Sequence, residues 1–238
     1  MMILSYNQAT GEVKILSLLR DTWIYIPGRT TWNRINTAYR FGGVGLAINT
    51  INTNFDMDIQ YYMLVHFEDI INITDTVGGV DVPLSQREVE YLNAYSGSDN
   101  ILEPIPEGVE TDMRHLDGLQ VFRHSRNRSL GNGDWSRTER QRNVLKGFYE
   151  RAKKERNAMN LASLMYSLMD YVETNMTPGQ MISLGTSIIF GKVSGEPQTA
   201  SMPFPGTWSY AYEGKMAVIH INIEKNRDAM HEFIFGKK

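Results

Sequence analysis

Cysteine is missing from all 238 residues. That excludes disulfides, thiol nucleophiles and cysteine-ligated zinc, and it suits either the cytoplasm or a cysteine-poor bacterial exterior. Long hydrophobic runs are missing too. No stretch approaches the roughly 20 apolar residues of a membrane span and no signal-peptide pattern leads the chain, so as given it is expected to be soluble. A basic excess is absent, with 24 Lys and Arg against 27 Asp and Glu, and wholesale electrostatic binding to nucleic acid is not expected. Histidine is scarce: His66, His115, His124, His220 and His231 show no spacing that would pair them as zinc ligands. Gly43-Val44-Gly45 lacks the third glycine or the lysine of a nucleotide loop and reads as a turn before a helix. What remains is a chain long enough to bury its own core as one domain over 1–238.

Strand-like and helix-like patterns alternate along it. Met1 to Tyr6 and Val13 to Leu19 predict a hairpin, and Trp23 to Ile26 a short strand closed by Pro27-Gly28. The opening in mid-strand, with no cap or polar lead-in, leads to the expectation that upstream residues are missing. Asn36 to Phe41 and Gly45 to Asn54 read as helical pieces broken by Gly42-Gly43. Tyr61 to Phe67 reads as a strand, Glu68 to Thr76 as a helix, and Val80 to Pro83 as a strand ended by proline. From Ser85 to Asp112 the composition is polar and insertion-like. Helical patterns follow at Asp117 to Arg123, Ser136 to Asn157, Leu161 to Glu173 and Gly179 to Phe190. A Trp208, Tyr210 and Tyr212 hairpin, a strand at Ala217 to Ile223 and a helix at Glu224 to Phe235 close the chain. The interleaving indicates an α/β fold.

One segment stands out for charge. From Arg123 to Arg142 there are six arginines and only two acids, Asp134 and Glu139. Ser136-Arg137-Thr138-Glu139 fits a capping box with Ser136 as N-cap. Stepping about 100° per residue puts Val144, Leu145 and Phe148 on one face, with Arg137, Arg140 and Gln141 on the same face one to two turns earlier. Buried arginine requires acids, a ligand or a wet cleft. A helix N-terminus adds N–H groups and positive partial charge, and guanidinium forks suit phosphate oxygens. Gly131-Asn132-Gly133 would let backbone approach such a ligand. Two other readings compete: a surface helix start whose Asp134 simply pairs with Arg137, and a DNA-recognition helix, which needs outward rather than core-facing arginines.

Arg126-x-Arg128 followed by Gly133-Asp134-x-x-Arg137-x-x-Arg140-Gln141 resembles the signature of the LytR-CpsA-Psr family. Leu18-Leu19-Arg20-Asp21-Thr22, Arg34-Ile35-Asn36-Thr37-Ala38-Tyr39 with Gly42-Gly43, Val65-His66-Phe67-Glu68 through Gly78-Gly79-Val80-Asp81-Val82, and Leu116-Asp117-Gly118-x-Gln120 continue the likeness in order. It spans about residues 1–150, the motif-bearing part. Residues 151–238, helical with a strand and a last helix, resemble the family's tail more weakly.

The resemblance implies a mixed central β-sheet with helices on both faces and a hydrophobic tunnel for a polyprenyl chain. It implies a phosphotransferase on the extracytoplasmic face of the bacterial membrane, membrane-associated in its full-length form. Such an enzyme moves a glycopolymer (teichoic acid, capsule or similar) from a polyprenyl-pyrophosphate carrier to a peptidoglycan acceptor. Arg20, Arg126, Arg128 and Arg137 would grip the pyrophosphate, with Arg34, Arg140 and Gln141 nearby. Asp134 would orient arginines or handle a proton, and Asp21 would support Arg20 or serve as base. The family's magnesium is implied as cofactor. Its usual acidic ligands and the anchor belong upstream of the strand at residues 2–6, so the chain is expected to be an N-terminally truncated form. Two alternative functions accompany this reading: a non-catalytic polyprenyl (pyro)phosphate binder, and a transcriptional attenuator or regulator. Met165, Met169, Met176 and Met181, with Leu161, Leu164, Leu168 and Ile182, are core or tunnel lining.

Overall fold

The computed structural model describes residues 1–29, 31–154, 157–191 and 195–236. In chain order the elements begin with β1 (Met2–Tyr6), β2 (Val13–Leu18), β3 (Trp23–Ile26), β4 (Thr31–Arg34), α1 (Asn36–Phe55), β5 (Met63–Leu64), α2 (Asp69–Thr76) and β6 (Val80–Leu84). Next come α3 (Gln86–Tyr95), β7 (Asp112–Leu116), α4 (Gly118–Arg126), α5 (Asp134–Lys153) and α6 (Ala158–Ser167). A 3-10 turn at Met169–Tyr171 leads to β8 (Glu173–Thr174), α7 (Pro178–Phe190), β9 (Gln198–Met202), β10 (Trp208–Glu213), β11 (Met216–Ile221) and α8 (Ile223–Phe235). The fold is mixed α/β, as the alternating patterns predict.

The chain divides into two compact units. The first comprises Met1–Asn7, Glu12–Tyr61 and Gly195–Lys238. Its sheet runs β1-β2-β9, with β1 antiparallel to β2 from Met2↔Ser17 to Tyr6↔Val13 and β2 parallel to β9 from Lys14↔Gln198 to Leu18↔Met202. The middle strand β2 is buried at every position, Lys14 and Ser17 included, as in a strand covered on both faces. Leu16, Leu18, Ile24, Ile26, Ile35, Phe55, Met202 and Met230 form the core beside it. Within α1 the backbone leaves helical geometry at Gly42 (φ −152°) and Gly43 (φ 62°, ψ −158°), the break that Gly42-Gly43 predicts. The aromatic hairpin is present: β10 and β11 pair from Trp208↔Ile221 to Glu213↔Met216.

The second unit comprises Gln8–Gly11 and Tyr62–Ser194. Here β6 and β7 pair antiparallel from Val80↔Leu116 to Leu84↔Asp112, and α5 crosses β6 with Gly147 at the near point. A Cβ on Gly147 would stand 2.8 Å from the Asp81 carbonyl oxygen, so no larger residue fits that crossing. Val80, Val82, Leu84, Val89, Leu92, Leu116, Val121 and Val144 fill the core.

Several expectations change. Residues 85–112 are not an insertion: Ser85 and Glu88 close a capping box that starts α3, and Val89 and Leu92 are buried. The strand expected over 61–67 shrinks to Met63–Leu64, because its neighbours find no partner strand beyond β8. The helix expected to run through Glu173 ends at Ser167. Helix α5 starts at Asp134 with Gly133 as N-cap, not at Ser136. Ser136 lies inside the first turn, where its hydroxyl accepts the Asn132 N–H at 2.7 Å. Leu145 is 40% exposed, and the buried stripe runs instead through Arg140, Val144 and Gly147. Residues 155 and 156, near the expected end of this helix, lie outside the described residues.

Candidate functional site: two arginine–aspartate clusters

In the second unit the chain between α4 and α5 is held by its own side chains. Asn127 Oδ1 accepts the N–H groups of Ser129 (2.8 Å) and Leu130 (3.2 Å) and the Ser129 hydroxyl (2.9 Å), the local bond that suits asparagine to turns. Gly131 follows at φ 78° and Gly133 at φ 59°, and a side chain at Gly131 would fall on Ser136 Oγ. That tight reversal delivers Asp134 to the first turn of α5, where an acid is favoured by the helix dipole.

Asp134 gathers the arginines. Its Oδ1 lies 3.0 Å from Arg137 Nη1 and 3.6 Å from Arg128 Nε. Arg137 and Asp134 are 12% and 17% exposed, whereas Arg128 is 55% exposed. Two guanidiniums on one carboxylate leave a net positive charge beside the N-terminus of α5, an arrangement that receives anions. Arg126 is exposed and its guanidinium lies over the rings of Phe67 (4.8 Å) and Phe122 (4.9 Å). Such stacking fixes the plane of the group and leaves its N–H edge for a ligand.

Arg140 and Gln141 turn the other way. Arg140 Nε bonds Glu88 Oε1 at 2.6 Å, while Nη1 and Nη2 donate to the carbonyls of Asn127 (3.0 Å) and Leu130 (2.7 Å). The Gln141 amide donates to the Ser125 carbonyl at 3.2 Å. Burial would raise the Glu88 pKa, but the Ser85 N–H and the Arg140 guanidinium outweigh it and hold it below the usual value. Next to them sits buried His124, whose pKa is pushed down to about 4, first by burial and then by the Arg140 charge, against the pull of Glu88.

The first unit carries a similar cluster. Asp21 Oδ2 accepts from Arg20 Nε at 3.2 Å, and its Oδ1 lies 3.4 Å from Arg34 Nε. Backbone bonds pin the segment on two sides: Ile35 N–H to Thr22 O (2.8 Å) and Ile219 N–H to Asp21 O (2.9 Å). Arg34 Nη2 donates to the Ala217 carbonyl at 2.7 Å. Arg20 and Arg34 are thus brought together on one carboxylate.

Residues not named as site residues in the sequence also matter here: Glu88 and Phe122, with Phe67, which stands in the Val65-His66-Phe67-Glu68 block, and His124, which the spacing of the histidines set aside. The Ser85-x-x-Glu88 spacing was the available signal for the first, since a capping box marks a helix start. The aromatic pair gives no such signal, because Phe67 and Phe122 are 55 positions apart in the chain. Among the described residues no group of three or more His, Asp or Glu side chains could hold a metal ion, and Asp21 and Asp134 are each turned to guanidiniums. These residues do not fit the implied magnesium. Nor, among the described residues, is any helix long and apolar enough to cross a membrane.

The LytR_cpsA_psr family profile matches residues 1–229. A Bacillus cereus (strain AH820) protein named polyisoprenyl-teichoic acid–peptidoglycan teichoic acid transferase TagU is 30% identical over 185 residues, covering 77% of this chain and 56% of that protein. An Enterococcus faecalis protein of the same name is 28% identical over 194 residues, covering 80% of this chain and 59% of that protein. The chain therefore spans somewhat over half the length of these curated relatives. The crystal structure of B. subtilis TagV matches the fold with a TM-score of 0.76 at 23% identity, covering 100% of this chain and 89% of that one. With the ordered sequence blocks, the profile over nearly the whole chain and the shared fold in agreement, the chain belongs to the LytR_cpsA_psr family.

Proposed function

We propose that this chain transfers a cell-wall glycopolymer from a polyprenyl-pyrophosphate carrier to peptidoglycan, on the extracytoplasmic side of the membrane. The observation that carries the reading is the Arg128–Asp134–Arg137 cluster at the start of α5. Family membership and the teichoic acid transferase names of the curated relatives support it. An acceptor sugar hydroxyl attacks the phosphorus that bears the glycopolymer. A new P–O bond forms, the P–O bond to the bridging oxygen breaks, and polyprenyl phosphate leaves with the electron pair. The hydroxyl proton passes to a carboxylate, Asp134 or Asp21.

The protein's part is to hold the pyrophosphate and stabilise charge that develops on its oxygens, the work for which guanidinium forks are suited. Arg128 and Arg137 do this beside the N-terminus of α5, and Arg126 adds its stacked guanidinium. Arg20 and Arg34, held on Asp21, present the same chemistry in the first unit. The test is a transfer assay with purified protein, a polyprenyl-pyrophosphate-linked glycopolymer and peptidoglycan fragments. The expected products are a phosphodiester-linked conjugate and polyprenyl phosphate in equal amounts. Binding of the lipid without either product would instead support a carrier-binding protein.

A further inference from the structure

Glu88 lies 52 positions before Arg140 in the chain and on a different helix, yet the two meet at 2.6 Å with side chains only 16% and 7% exposed. Glu88 is itself fixed from behind. The N–H and hydroxyl of Ser85 both donate to its Oε2, at 3.0 and 2.8 Å. Arg140 faces the other way with its two remaining nitrogens, which take the carbonyls of Asn127 and Leu130. Those carbonyls bracket Arg128, and Asn127 is also the residue whose side chain closes the turn over Ser129 and Leu130. The charge of Arg140 is therefore answered inside the protein, and its geometry is transmitted to the segment that presents Arg128.

We propose that Glu88 is a positioning residue for phosphate recognition: acting through Arg140, it holds residues 127–130 so that Arg128 meets the pyrophosphate of the carrier. This rests on the pyrophosphate reading above. An unpaired guanidinium is costly to bury, so without the Glu88 carboxylate Arg140 abandons its place between the two carbonyls. The segment then loses two of the bonds that set its path. Loss of one hydrogen bond to a charged group costs about 1.5–3 kcal/mol, or about ten- to a hundredfold in affinity.

The experiment measures binding of inorganic pyrophosphate and of geranylgeranyl pyrophosphate by calorimetry, with unfolding midpoints and amide exchange at residues 128–130. It compares the unaltered chain, Glu88→Gln, and the double variant Glu88→Leu with Arg140→Met. The double variant replaces the buried pair by apolar side chains, a change that often leaves stability intact, so it remains informative if Glu88→Gln fails to fold. Expected results are binding by the unaltered chain and loss of about ten- to a hundredfold in the double variant. Its midpoint stays near that of the unaltered chain, and the amides of 128–130 exchange faster. The same loss in a folded Glu88→Gln variant supports the proposal. Binding within twofold of the unaltered chain in the double variant overturns it, whatever happens to stability. An unaltered chain that binds neither probe overturns the pyrophosphate reading itself, and this proposal with it.

Discussion

At the scale of single residues, the arginines of the two clusters differ in what surrounds them. Arg137 and Arg128 share Asp134, Arg20 and Arg34 share Asp21, and Arg140 is enclosed by Glu88 and two carbonyls. The helical spacing that puts Arg137 and Arg140 on the inward face is correct for both, since Arg140 is buried and Arg137 is 12% exposed. Spacing does not reveal which of the two faces a partner far along the chain, because Glu88 lies on another element. Arg126 differs again, resting on Phe67 and Phe122. Removing one ring by Phe67→Ala is expected to cost about 0.5–1 kcal/mol of orientation. Pyrophosphate affinity should fall about two- to fivefold, with an unchanged unfolding midpoint, as read by calorimetry and thermal melting.

At the scale of elements, the start of α5 shows what patterns catch and what they miss. Ser136-Arg137-Thr138-Glu139 has the form of a capping box, but the glycines before it let the helix begin two residues sooner. That helix meets β6 at Gly147, where an added Cβ would stand 2.8 Å from the Asp81 carbonyl oxygen; glycine carries no hydropathy signal, so the apolar stripe points to Leu145 instead. Strands β4, β7 and β9 went unread for a related reason. They are short and not uniformly apolar; β4 pairs locally with β3, whereas the partners of β7 and β9, above all the parallel pairing of β2 with β9, are fixed by tertiary structure rather than by local alternation. The glycine turn itself was legible, and it yields a prediction. Gly131→Ala forces a side chain into a left-handed backbone position and onto Ser136. It should lower stability by about 1–3 kcal/mol, seen as a reduced urea midpoint, and should weaken pyrophosphate binding through the displaced Arg128 and Asp134.

At the scale of the whole molecule, family and fold class are readable because several sequence blocks, from residues 18–22 to residues 126–141, stand in the family's order along one chain. The pH dependence of stability was not readable, since it depends on burial. The His124 pKa falls from 6.5 to about 4 on folding. The unfolded chain binds this proton below about pH 6.5 and the folded chain does not, so stability is full above that value and declines towards pH 4. The decline amounts to about 3 kcal/mol. Glu88, lowered on folding from 4.5, adds to the loss as the pH falls further, through its folded value. Urea unfolding between pH 7 and pH 4 should show this slope, and His124→Leu should flatten it.

The most direct test of the central claim is calorimetric titration of geranylgeranyl pyrophosphate into the chain and into its Arg137→Ala variant. Loss of one charge-assisted contact predicts binding about ten- to a hundredfold weaker in the folded variant. Equal affinity in the two proteins would contradict the assignment of the arginine cluster to the carrier's pyrophosphate.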